Sequence, residues 1–83
     1  MPNEQRIGVI GIVIEDRAQA QRINNILSSH SDVIVGRMGI PYREKGLSVI
    51  ALIVDGNTDE IGALTGKLGT VEGVKVKSAL VTR

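Results

Sequence analysis

The sequence is most constrained by a predominantly apolar segment of eight residues, Leu47–Val54, which ends at the turn residues Asp55–Asn57. A segment this short and rich in β-branched residues is typical of a β-strand rather than a helix. Because side chains alternate between the two faces of a strand, both faces of this one carry aliphatic groups. A second segment of the same kind, Ile7–Ile14, lies near the start of the chain. The sequence therefore predicts two strands that need cover on both sides.

Two amphipathic helices are predicted to follow these strands. Asp16 is a good N-cap for the first helix, which we expect over residues 17–29 with Gln19 completing a capping box. Asn57 is the corresponding N-cap of the second helix, and Glu60 stands at its capping-box position. Aliphatic residues recur at helical spacing in both segments, so each helix is predicted to bury one face.

Five glycines suggest specific packing. Gly8 and Gly11 in the first strand leave room for another backbone to approach closely. Gly62 and Gly66 are predicted to let the second helix pack closely against the sheet, and Gly69 is expected to end that helix in a left-handed conformation.

Two further strands are predicted, at Val33–Met38 and Val74–Val81. The last one alternates, with Lys75 and Lys77 on one face, which suits the edge of a sheet. Residues 39–46 are predicted to be a polar connection between the second and third strands.

The predicted order is strand, helix, strand, strand, helix, strand, and it reads as two similar halves. Two interleaved βαβ units with right-handed crossovers give an α+β fold, the ferredoxin-like βαββαβ sandwich. We expect a four-stranded antiparallel sheet of order 4-1-3-2, with both helices on one face, as a single domain over residues 1–83. This order places the two strands that are apolar on both sides at the centre.

The face without helices would expose a block of aliphatic side chains at the upper end of what soluble monomers show. The sequence therefore predicts a homo-oligomer, a dimer or tetramer, associated through the open sheet face or the sheet edges. The alternative is a monomer in which loop 39–46 folds over that face.

Composition excludes several classes of function. The chain has one histidine, His30, and no cysteine, so neither a metal site nor a cofactor is predicted. A net charge of +1 gives no footprint for nucleic acid or for a membrane surface, and aromatic residues that would stack RNA bases are missing from the central strands. No segment is long enough to span a membrane, and no signal peptide is recognised, which predicts a cytoplasmic protein.

Polar residues at strand ends are the candidate ligand-binding residues: Glu15, Asp16, Arg17, Arg37 and Gly39. At a subunit seam, the Arg37 guanidinium could bind a carboxylate or phosphate in a bidentate manner. Alternatively, Arg37 is a solvated charge on an edge strand, and Asp16 only caps a helix. No catalytic residue is predicted.

Four segments of the chain match a known family in order and spacing: Val13–Arg17, Arg37–Glu44, Ile61–Gly69 and Gly73–Lys77. They resemble a small family of iron-only hydrogenase system regulators. The resemblance implies an ACT-like, ferredoxin-fold, non-enzymatic protein that works with [FeFe]-hydrogenase systems through a partner protein. A more distant similarity is to ACT regulatory domains, whose effector sites use a glycine where this chain has Glu15-Asp16-Arg17. The alternative function is a structural or protein-interaction module without a small ligand.

Overall fold

The computed structural model describes residues 4–83, which form one antiparallel sheet of four strands with two α-helices. The strands lie in the order β2-β3-β1-β4. This confirms the ferredoxin-like fold and the 4-1-3-2 order. The strands are β1 (Gln5–Ile14), β2 (Ile34–Tyr42), β3 (Leu47–Asn57) and β4 (Val74–Thr82), and the helices are α1 (Ala20–Ser29) and α2 (Thr58–Gly69).

The hydrophobic core lies between the helices and one face of the sheet. Alternate residues of the two central strands, such as Ile12 of β1 and Leu52 of β3, are completely buried there. They share one cluster with Ile23 of α1 and Leu64 of α2, because each helix carries its apolar residues on one side. Neither helix in residues 4–83 is long and apolar enough to span a bilayer.

Helix α2 begins as predicted, whereas α1 begins later than predicted and without the predicted capping box. The Gln19 amide donates to the backbone carbonyl oxygen of Asp16 (2.9 Å), not to its side chain. At α2 the capping box is complete, since the Glu60 amide donates to Asn57 Oδ1 (2.8 Å) and the Asn57 amide donates to Glu60 Oε1 (2.9 Å). Asp16 Oδ1 accepts from the Ala18 amide at 3.0 Å and caps a short 3-10 turn, Arg17–Gln19. The α-helix itself begins only at Ala20, because this turn comes first.

The predicted connection over residues 39–46 is wrong for its first half. Gly39–Tyr42 continue β2 and pair with β3, and Pro41 lies opposite Ser48. An edge strand tolerates proline, because one side of its backbone has no strand to bond. Only the 3-10 turn Arg43–Lys45 and the left-handed Gly46 (φ 69°) remain to connect the strands. The segment therefore extends the sheet and does not cover its open face.

The glycines of β1 differ from each other. A Cβ atom on Gly8 would lie 2.8 Å from the Leu80 Cα of the neighbouring strand, so the predicted close approach is confirmed there. A Cβ on Gly11 would have only the Lys77 carbonyl oxygen nearby, at 3.9 Å, so the same prediction is wrong for Gly11.

The glycines of α2 do not pack as predicted. Gly62 and Gly66 are exposed, and a Cβ atom on either would meet nothing within 4 Å, so they do not face the sheet. Gly69 is the last helical residue, and the helix ends at Thr70 with a right-handed φ of −82°. The left-handed residue lies further on, at Gly73 (φ 77°), where the chain turns into β4.

Candidate functional site

A cleft of about 170 Å³ opens where the start of α1 meets β2 and β3 on the helix-covered side. The first turns of α1 form one wall, and the outer half of β2 forms the other. The cleft lies at the sheet edge because α1 does not cover β2 completely beyond Gly39. Its lining residues are Ile14, Ala20, Asn24, Arg37, Gly39, Ile40, Pro41, Ser48 and Ile50.

Arg37 provides the positive charge of this cleft. It lies opposite Leu52 in the strand register, and its side chain therefore leaves the sheet on the side of α1. There its Nη2 donates a hydrogen bond of 2.9 Å to Asn24 Oδ1. A guanidinium has five N–H donors in a planar fork, so the contact with Asn24 orients the group and leaves donors for an anion.

Of the five predicted site residues, only Arg37 and Gly39 lie together in this cleft. Glu15 approaches Lys75 of β4, with 3.5 Å between Oε2 and Nζ, and Asp16 is occupied as an N-cap. Arg17 is exposed in the 3-10 turn. The predicted grouping of all five residues therefore separates into a cleft on the β2 side and a turn on the β4 side.

Sequence reasoning missed Asn24 and Ser48, which add an amide and a hydroxyl group to the cleft. Ser48 is the only polar residue in the predicted strand Leu47–Val54, which was a usable signal. Asn24 gave no such signal, because it is 13 positions away from Arg37 in the sequence and the two residues meet only through tertiary packing.

The second cleft, of about 250 Å³, lies between the end of α1 and the start of α2. His30 lines it together with Asp32 and Glu60, and the His30 Nδ1 atom lies 2.9 Å from the Ile26 carbonyl oxygen. Within residues 4–83, no three His, Asp or Glu side chains are grouped so that they could hold a metal ion. His30 is the C-cap residue of α1.

The other prominent surface is the sheet face without helices, which we call the open face. Its exposed apolar residues come from all four strands, and Met38 of β2 remains 63% accessible. Ion pairs lie at both ends, with Arg83 Nε 2.6 Å from Asp55 Oδ1 at one end and the Lys75–Glu15 pair at the other. An apolar centre with a polar rim is the composition of a protein interface. The large apolar residues of the open face are Ile7, Val9, Met38, Ile40, Tyr42, Val49, Ile53 and Val81.

The fold with these two surfaces is that of ACT-like regulatory domains. An ACT domain from the GTP pyrophosphokinase of Chlorobium tepidum is 26% identical to this chain and superposes with a TM-score of 0.71. The match covers 90% of this chain and 86% of the ACT domain. The apo form of CPII, a nitrogen regulatory PII-like protein from Thiomonas intermedia K12, shares the fold at 11% identity, with a TM-score of 0.57 over 99% of this chain and 97% of its own.

The family model described as "TM1266-like: Iron-only hydrogenase system regulator, putative" matches residues 6–78. The chain belongs to this TM1266-like family. The uncharacterized protein TM1266 from Thermotoga maritima is 41% identical to it over 95% of this chain and 100% of its own, with a TM-score of 0.87. Comparison with curated proteins finds no match.

Proposed function

We propose that this chain is a cytoplasmic, non-enzymatic sensor for an iron-only hydrogenase system, which works as a homo-oligomer and binds a small anion beside Arg37. The family supports the regulatory role and its metabolic setting. One observation supports the ligand: the Arg37 guanidinium lines a cleft, is oriented by its hydrogen bond to Asn24, and shares the cleft with the hydroxyl-bearing residue Ser48.

The cleft selects a carboxylate or phosphate group rather than a whole large molecule. Its volume of about 170 Å³ is below the roughly 300–1,000 Å³ of sites that enclose drug-sized ligands. The anionic group of the ligand fits against Arg37, and the remainder of the ligand extends past the edge strand β2. The cleft lies on the helix-covered side, so a copy packed on the open face does not enclose it, and a further subunit beside β2 would be needed to complete a seam there.

The side chains near the cleft support binding without a reaction. Ser48 and Arg37 line it, whereas His30 and its carboxylate neighbours line the other cleft. A hydroxyl nucleophile needs a base within hydrogen-bond reach, and the residues that line this cleft include no such base. Regulation then acts through a partner protein of the hydrogenase system, which responds to the occupied or empty oligomer.

The open face supports the homo-oligomer. Four strands about 4.8 Å apart, with about nine residues each at about 3.3 Å, give a projected area of roughly 570 Å². This is comparable to the area of about 800 Å² that each partner buries in a standard interface. At ~25 cal/mol/Å² of apolar area, covering it contributes at most about 14 kcal/mol before the cost of association, because Lys75 and Lys77 occupy part of the face. A second copy of the chain supplies a face of the same size and polarity.

The anion site is tested by thermal unfolding of the purified protein with inorganic phosphate, amino acids, nucleotides and metal ions. A ligand that binds at Arg37 and is present at 100 times its Kd stabilises by about 2.7 kcal/mol, which raises Tm by roughly 10–20 °C for a domain of this size. The shift is expected to be lost in Arg37→Gln and kept in Arg22→Gln, a matched exposed arginine on α1.

Two results would contradict the sensor proposal. If no compound raises Tm, the chain is a protein-interaction module without a small ligand. If a compound stabilises both arginine variants equally, it binds elsewhere and the Arg37 cleft is not the site.

A further inference from the structure

The open face is chemically asymmetric from one edge to the other. At the β2 edge it presents three large apolar residues, Met38, Ile40 and Tyr42. At the β4 edge it presents the two lysines Lys75 and Lys77, followed along the strand by Ala79 and Val81. The difference is fixed by the strand order, because β2 and β4 are the two edges of the sheet.

The strand register shows which residues share a row across this face. One row is Met38, Ala51, Gly11 and Lys77, and the next row ends with Ile40 and Lys75. Lys75 has Glu15 as an ion-pair partner. The side chain of Lys77 has no hydrogen bond or ion pair with any residue in the part of the chain that the structure describes.

Two identical open faces can be stacked by a two-fold axis in two ways. If the axis runs across the strands, β4 covers the partner's β4, and a row that lies on the axis meets the same row of the partner. If the axis runs along the strands, β4 covers the partner's β2, and each row meets its own row in reverse order. Both arrangements bury the same apolar centre, so the charged edge decides between them.

The first arrangement brings four lysines together at one edge, where only the two Glu15 carboxylates offset their charge. Like charges placed opposite each other across an interface disfavour the complex. The second arrangement lays Lys77 over Met38 and Lys75 over Ile40. Lysine stems can cover apolar side chains while their ammonium groups reach solvent at the edge of the sandwich.

We propose that two copies of this chain pack open face to open face about an axis along the strands, so that Lys77 of each copy covers Met38 of the other. The inference rests on the homo-oligomer in the proposed function and names its geometry. It makes the two edges of the seam equivalent, since each edge combines one apolar strand with one basic strand.

Thiol cross-linking tests the geometry, because the natural chain has no cysteine. Met38→Cys and Lys77→Cys chains are prepared separately and treated with a bismaleimide whose span matches the ~10 Å between packed sheets. We expect cross-linked dimer when the two variants are mixed, and little in either variant alone. In this arrangement the same position in the two copies is displaced sideways by three strand spacings, about 14 Å.

A charge pair at position 38 provides a second readout. In the proposed arrangement Met38→Glu meets Lys77 of the other copy, whereas Met38→Lys adds repulsion there. The dimer dissociation constant of Met38→Lys is therefore expected to be at least about tenfold above that of Met38→Glu. With the axis across the strands, each substitution would face itself, and the two constants would be similar.

The outcomes separate this geometry from the homo-oligomer itself. Cross-linking of Lys77→Cys alone, or equal dissociation constants for the two Met38 variants, would overturn the geometry while leaving a face-to-face dimer. A dimer that cross-links in neither single variant nor the mixture would place the interface elsewhere. A monomer in sedimentation would overturn both.

Discussion

The two faces of the sheet are built from the same strands and from similar residues, yet they have opposite environments. On the covered face, Ile10 and Leu52 are completely buried under the helices. On the open face, their neighbours Val9 and Ile53 remain 43% and 45% accessible. Two helices are enough to cover one face of a four-stranded sheet, so a sheet that is apolar on both faces needs a second cover. The comparison supports the proposal that a second copy of the chain covers the open face.

The largest expected difference between the faces is in folding stability. Leu52→Ala removes a fully buried side chain and is expected to lower the free energy of unfolding by about 2–5 kcal/mol. Ile53→Ala, its neighbour on the open face, is expected to weaken association and to cost much less stability at protein concentrations where the chain is dissociated. Urea unfolding at several protein concentrations measures both effects. Equal, concentration-independent losses would contradict the comparison.

The glycines of β1 sharpen the same contrast at the scale of one methyl group. Gly8→Ala places a Cβ against the backbone of β4, 2.8 Å from Leu80 Cα, and is expected to cost about 1–3 kcal/mol. Gly11→Ala adds its methyl group to the open face, where the space is free, and is expected to leave monomer stability nearly unchanged. Thermal unfolding at low protein concentration compares the two variants. A larger loss of stability for Gly11→Ala than for Gly8→Ala would contradict the assignment of the close backbone contact to Gly8.

The smallest effect is expected on the outer surface of α2, which is exposed without being apolar. Gly66→Ala fills open space in a helix interior and is expected to stabilise by about 0.5–1 kcal/mol, a few degrees in Tm. Gly73→Ala is the matched control, because its φ of 77° and the nearby Asp16 Cβ make any side chain unfavourable there. A destabilising Gly66→Ala, or a change in association, would show that this helix surface also packs against something.

Most of the fold could be predicted from the sequence, because the decisive signals are local. The two strands with aliphatic residues on both faces identify the sheet centre, and the Asn57–Glu60 pair marks the start of α2. The full length of β2 could not be predicted, because Gly39 and Pro41 are typical of a loop when read in sequence. Pairing with β3 overrides that local preference, and the edge position makes the proline harmless.

The candidate site was predicted only in part. Arg37 and Gly39 are neighbours on one strand, so their proximity follows from the sequence. The predicted association with Glu15 depends on how the end of β1 lies relative to β2, and β3 separates these two strands. Glu15 faces Lys75 on the other side of β1 instead. Ligand binding by these residues stays a prediction that the Arg37 experiment decides.

Sedimentation velocity of the purified full-length chain at micromolar concentration tests the central claim, that a second copy covers the open face. The account predicts an oligomer that Ile53→Asp converts to a folded monomer, since a buried unpaired carboxylate costs several kcal/mol and raises the dissociation constant by more than about 100-fold. Val35→Asp, at a more exposed apolar position in the bulge of β2, is predicted to stay oligomeric. A monomeric natural chain, or an identical response to both aspartates, would contradict it.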